Sequence, residues 1–177
     1  MMYEYDNDSG FAKEIIYCGI GNYDSILNFG ACDNNLFFLP ILDELGVDVQ
    51  YTGIDVKDEV KTFLTDFEPI ERTHIWISHQ DSMQEFIDNM NDERFTWTLI
   101  TGIFNKPLYS ERQYQFIDTV IKNCLKFSDN VIFTIDETSS SDFKYSMIYL
   151  YSHFTNEYNT VTVKKIDTGK YIFHIKN

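Results

Sequence analysis

Two short segments about thirty residues apart hold the side chains of this sequence whose types and spacing could do chemistry. The first is Ile15-Ile16-Tyr17-Cys18-Gly19-Ile20-Gly21-Asn22, and the second is Val49-Gln50-Tyr51-Thr52-Gly53-Ile54-Asp55-Val56. Each reads as a buried strand. The first runs into a glycine-rich turn and the second ends on an acid. An α/β sheet commonly builds a nucleoside pocket in this way. The backbone at the first turn must approach the ligand closely, so residues there must be small. The carboxylate at the tip of the next strand accepts from both ribose hydroxyls. The reading requires the bend at residues 18–21 and the Asp55 carboxyl to line one hollow. The same residues also suit a tight turn without ligand and an aspartate that merely opens a surface turn.

The elements that must position these residues follow from apolar periodicity and breakers. Residues 14–18, 49–56, 73–78, 96–104 and 130–135 read as strands. Between the first two, a short irregular helix is expected near Ser25–Phe29. A second is expected over Leu36–Leu45, interrupted by Pro40 and ended by Gly46. A further helix around 58–67 precedes Pro69. Ser82-Met83-Gln84-Glu85 and Ser110-Glu111-Arg112-Gln113 have capping-box spacing. The second box opens a helix with Phe116, Ile117, Val120, Ile121, Cys124 and Leu125 on one face. An aromatic-rich helix is expected over 142–156. Thr160–Ile166 and Tyr171–Lys176, joined by Asp167-Thr168-Gly169-Lys170, read as a β-hairpin. Alternating strands and helices imply a mostly parallel sheet covered on both faces, with its ligand crevice at the carboxyl ends of the strands.

Composition sets the outer limits. The 177 residues fit one domain, expected to cover 1–177 behind a loose polar tail at 1–10. Apolar residues make up 44% and aromatic residues 16%, which places the chain among globular proteins. There are 28 acids against 14 bases, a net charge of −14. An acidic surface repels phosphate backbones, so nucleic acid is expected to be a poor partner. Cys18, Cys32 and Cys124 lack metal-ligand spacing, and His74, His79, His153 and His174 show none either, so no metal site is expected. The odd cysteine count suits a reducing compartment. With no basic, apolar leader at residues 1–6 and no membrane-length apolar run, the expectation is the cytosol.

These positions together resemble the class I S-adenosylmethionine-dependent methyltransferases, over nearly the whole chain from Glu14 onward. The resemblance implies a Rossmann-like three-layer α/β sandwich. Its seven-stranded, mostly parallel sheet ends in a C-terminal antiparallel hairpin. Cys18-Gly19-Ile20-Gly21 matches the end of the family's glycine turn, with Tyr17 at its first glycine position and without the acid usual just before it. Asp55, followed by Val56, takes the ribose position. Asp81 is placed to accept from the adenine amino group, with the Ser82 backbone at an adenine nitrogen; either residue also suits a plain helix cap. In Leu99-Ile100-Thr101-Gly102-Ile103-Phe104-Asn105, Thr101 and Gly102 are implied to lie under the cofactor. Phe104 and Asn105 are implied to face the substrate, with Tyr109 nearby. Asn105 and Tyr109 are the catalytic candidates.

Methyl transfer is an in-line displacement at a sulfonium carbon, so the protein's main task is positioning. An acid or base is needed only where the nucleophile carries a proton. The expected activity is therefore S-adenosylmethionine-dependent methyl transfer to a small molecule or protein. No Asn-Pro-Pro-Tyr-like motif follows strand four, which counts against a DNA base-amino enzyme. The lack of an acid at the Thr101 end, with few bases, counts against a cap-ribose enzyme. No separate substrate region is evident, which leaves a second copy of the chain or a protein partner open. The altered glycine turn and strong acidity also support a different class: a catalytically degenerate methyltransferase fold serving as a binding or assembly module.

Overall fold

The structure is a computed structural model, and it describes residues 9–29, 42, 45–55, 74–79, 93–105, 113–137, 145–167 and 169–177. The chain divides into two compact units, Met1–Asn89 and Met90–Asn177.

The first unit holds helix α1 (Ser9–Tyr17) and strands β1 (Ser25–Phe29), β2 (Gln50–Asp55) and β3 (His74–His79). The strands are parallel in the order β3-β2-β1. Ser25 pairs with Gln50 and Phe29 with Ile54, while Asp55 pairs with His79. Two expectations are corrected here. Residues 14–18 are the end of a helix rather than a strand, and 25–29 is a strand rather than a helix. The Ala12-Lys13-Glu14 run favours helix strongly enough to carry the β-branched Ile15 and Ile16 with it. The helix stops where the Gly19 amide bonds to the Ile16 carbonyl, with Gly19 at φ +110. β1 lacks alternation because Ile26, Leu27, Asn28 and Phe29 are all buried, as a parallel strand covered on both faces requires. α1 begins at Ser9, inside the stretch read as a tail; residues 1–8 and the expected helices at 58–67 and after Ser82 lie outside the described residues.

The second unit holds β4 (Phe95–Ile100), a 3-10 turn at Ile103–Asn105, α2 (Gln113–Cys124), β5 (Ser128–Asp136), α3 (Met147–Glu157), β6 (Thr160–Asp167) and β7 (Lys170–Lys176). Its strand order is β4-β5-β7-β6. β4 and β5 are parallel, and β7 runs antiparallel to both β5 and β6. α2 buries Ile117, Val120, Ile121 and Cys124, the i, i+3, i+4, i+7 face read from sequence. α3 starts later than expected because Ser146 caps it, its hydroxyl accepting from the Tyr149 amide. Asp118 joins the two helices, bonding His153 Nε2 and Lys122 Nζ at 2.9 Å each. Burial pushes the Asp118 carboxyl up, but those two partners outweigh it and hold the group below its ordinary value.

His174 on β7 illustrates how the sheet uses its polar residues. The Asn130 amide donates to the Thr96 carbonyl, which leaves Asn130 Oδ1 for His174 Nε2 at 3.1 Å. That ring nitrogen must therefore carry the proton. Burial, then the nearby Lys176 charge, lowers the His174 pKa. Between that lowered value and 6.5 the unfolded chain binds the extra proton, so stability is whole above about pH 6.5 and falls below it. Urea titrations at pH 7.5 and 5 should show a loss in the wild type that is smaller in His174→Gln. An equal loss in both removes this account.

Candidate functional site

The parallel pairing fixes which end of each strand a side chain occupies. In the first unit, β2 delivers Asp55 to the carboxyl end of the sheet, next to the end of β1. The bend at residues 18–24 instead leads into the amino end of β1. Asn22 Oδ1 accepts from the Asp48 amide there, and the Asp24 carboxylate accepts from the Gly21 amide at 2.8 Å. The two points are separated by the length of the strand, on the order of 15 Å. The common hollow required of residues 18–21 and Asp55 does not form. Tyr17 is 78% exposed at the end of α1, and Cys18 is half-buried. A Cβ placed on Gly19 or Gly21 would meet nothing within 4 Å. Gly19 thus serves the helix end, where its positive φ is needed, and Tyr17, Cys18, Gly19 and Gly21 lose the geometric basis for a cofactor role.

What occupies the carboxyl end of β1 is Asn28, a residue that the sequence reading passed over. It is fully buried. Its Nδ2 donates to the Tyr51 hydroxyl at 2.7 Å, while Oδ1 has no partner among the described residues. Burying an unpaired amide oxygen costs about 1–3 kcal/mol unless something donates to it. The available signal was Gly30, which follows β1 directly in sequence and puts Asn28 two residues before a glycine.

In the second unit the end of β4 carries Thr101 and Gly102. Thr101 is buried, and its hydroxyl also lacks a partner among the described residues. Gly102 sits at φ +74, and its amide donates to the Thr134 hydroxyl at 3.4 Å. A Cβ there would find open space, so its positive φ is the reason for glycine. Phe104 does not face a substrate. It is buried against the rings of Phe116 and Phe133 at 5.8 and 5.6 Å. Its carbonyl accepts from the Tyr145 hydroxyl and from Gln113 Nε2. The backbone of Asn105 closes the 3-10 turn. Val56, Asp81, Ser82 and Tyr109 lie outside the described residues, as does the Asp55 side chain. No cluster able to hold a metal ion occurs among the described residues. Among them, too, no helix is long and apolar enough to cross a membrane.

No family model matches the sequence, and no curated protein matches it. Solved structures do. A chain of the Pnkp1/Rnl/Hen1 RNA repair complex superposes with a TM-score of 0.64 at 12% identity, over 99% of this chain and 43% of that one. A SAM-dependent methyltransferase from Aquifex aeolicus gives 0.55 at 11% identity, over 98% and 93%. The 16S rRNA methylase ArmA gives 0.53 at 12% identity, over 98% and 84%. This chain therefore spans less than half of the RNA repair protein and most of the other two. The fold is that of the class I SAM-dependent methyltransferases, an α/β fold with mixed strand directions.

These likenesses overturn the expectation that nucleic acid is a poor partner. The same fold occurs in a 16S rRNA methylase and in an RNA repair complex. The physical error lay in using net charge as a local quantity. Exposed charges are screened beyond about 8–10 Å at physiological salt, so what a site admits depends on its immediate surroundings.

Proposed function

We propose that this protein is a methyltransferase using S-adenosylmethionine. In this reading the chain is a single methyltransferase-like domain whose sheet ends in the antiparallel β7 and β6. The observation that carries the reading is the buried Asn28 acceptor at the end of β1, which has no partner among the described residues. Asn28 stands where the family has an acid ahead of its glycines, and an acceptor in that place suits the donor groups at the amino-acid end of the cofactor. In the second unit, taken by itself, the buried Thr101 hydroxyl after β4 also has no partner among the described residues. Asp55 takes the ribose hydroxyls, with Val56 beside it, and Asp81 and Ser82 meet the adenine. The family resemblance puts Thr101 and Gly102 under the cofactor and leaves Asn105 and Tyr109 as the acceptor-side candidates.

The cofactor brings a methyl group already activated on a sulfonium sulfur. The chain's own contribution is orientation and exclusion of water from the carboxyl ends of the strands. Carboxylates there also favour a cationic ligand.

Calorimetry with S-adenosylmethionine and its demethylated product tests the reading. The folded protein should bind both, and Asp55→Ala should weaken binding at least about tenfold, the loss of a charge-assisted contact. No heat at millimolar ligand would remove the proposal. Labelled-methyl transfer to RNA, protein and small-molecule fractions then identifies the acceptor. Binding without transfer to any fraction would return the chain to the binding-module alternative.

A further inference from the structure

Asn28 and Tyr51 form a pair that the proposed chemistry does not by itself require. Both are buried, Tyr51 at 2% exposure. In the β1–β2 register Tyr51 pairs with Ile26, while Asn28 pairs with Gly53, which puts no side chain between them. The Tyr51 ring thus runs along the sheet to the Asn28 amide, and the Asn28 nitrogen is committed to the Tyr51 hydroxyl at 2.7 Å.

An amide has two unlike ends: a donor, and an acceptor of nearly the same size. A carboxylate has two like ends. Where a family uses an acid, either oxygen can accept and no neighbour need select between them. An asparagine in that place works only if something fixes which end is spent inside the protein. We infer that Tyr51 is a positioning residue: with its own proton directed away from Asn28, its hydroxyl accepts from the Asn28 nitrogen and so reserves Oδ1 as the acceptor for a ligand N–H group. The inference rests on the methyltransferase reading and adds to it the device that lets a neutral amide replace an acid. It also gives the site a preference of sign. A ligand donor is admitted and a ligand acceptor at that point is refused, because an acceptor would face Oδ1.

The test is a double-mutant cycle read by calorimetry with S-adenosylhomocysteine as probe. Tyr51→Phe keeps the ring and removes the hydroxyl. In the wild-type background it should weaken binding about fivefold, the scale of one misdirected hydrogen bond. With Asn28→Asp already present, it should change affinity less than about twofold, because both carboxylate oxygens accept. Equal losses in the two backgrounds would make Tyr51 merely structural and overturn the inference. Loss of all binding in a folded Asn28→Asp protein would overturn it too, since that shows the amide nitrogen facing the ligand. A measurement on unmodified protein covers variants that do not fold: the Asn28 side-chain amide protons should exchange slowly with and without the probe. Fast exchange refutes the lock. If the folded wild type binds no probe while those protons stay protected, the methyltransferase reading is what has failed, and the positioning role goes with it.

Discussion

Phe133→Ala should cost about 3–5 kcal/mol of unfolding free energy, the range for removing a large ring from a packed core. Phe133 is fully buried on β5. It pairs across the antiparallel ladder with Phe173, the rings stacked at 4.8 Å and 10°. Phe154 of α3 meets both rings, at 5.6 and 6.2 Å, and Phe104 meets Phe133 edge-on from the turn after β4. One ring therefore joins a helix, two strands and the turn that leads away from β4. Its deletion leaves a cavity lined by three other rings, each held by its own element, so collapse into the space is restricted. Edge-to-face and offset contacts add about 0.5–1.5 kcal/mol each beyond burial. Chemical denaturation checks this directly. Tyr151→Ala, on the outer side of α3, should stay within about 0.5 kcal/mol of the wild type. A loss below about 1 kcal/mol for Phe133→Ala would show that the cluster repacks freely.

The same ring cluster shows why the second unit was legible before any coordinates. Ile117, Val120, Ile121 and Cys124 repeat at helical spacing, and the β-branched and aromatic run within Asn130–Ile135 reads as a buried strand, as β5 is. Asp167 to Lys170 carries a hairpin signal, and the flanking strands do pair antiparallel. The first unit misled for an equally physical reason. Ile15-Ile16-Tyr17 has strand-forming residues, yet its stability as α1 comes from upstream helix formers and the glycine stop, which act over a whole turn. Ser25-Ile26-Leu27-Asn28-Phe29 forms a strand buried on both sides, so it shows no alternation, and its asparagine disguises it as loop. That asparagine is the candidate site residue, and the need for a buried acceptor there appears only once Tyr51 lies beside it. Asp55 was placed at its strand end correctly because a single run of β-formers ended on it. The fourth strand, read through Phe104, ends instead at Ile100, so Thr101 and Gly102 stand just past it. The glycine turn was misplaced because short glycine-containing bends look alike whether they enter a strand or leave one.

Gln113→Leu should destabilise the protein by about 1–3 kcal/mol although it preserves the side chain's size, because it strips a donor from a buried polar cluster. Gln113 is fully buried at the start of α2. Its Nε2 donates to the Tyr145 hydroxyl and, at 3.4 Å, to the Phe104 carbonyl. Tyr145, just ahead of the α3 cap, donates its own proton to that carbonyl. The Ser146 amide next to it donates to the Tyr114 hydroxyl at 2.8 Å. Three segments thus meet on one backbone oxygen: the turn after β4, the first turn of α2 and the approach to α3. Burial pushes the Tyr145 pKa up to about 12, with Gln113 pulling it back slightly and Tyr114 adding to the rise. The hydroxyl therefore keeps its proton wherever the protein is folded at ordinary pH. The unfolded tyrosine ionises near 10, so this contribution is whole below pH 10 and falls as pH rises toward 12. Losing Gln113 and losing the Tyr145 hydroxyl should not be additive, with a coupling of about 0.5–3 kcal/mol for partners in one network. Denaturation of Gln113→Leu, Tyr145→Phe and the double variant measures that coupling. Amide exchange at Ile103–Asn105 locates it, since freeing the carbonyl should loosen that turn while β5 stays protected. If the losses simply add, the carbonyl is not a shared anchor, and the path of the chain beyond β4 is set by the Phe104 ring alone.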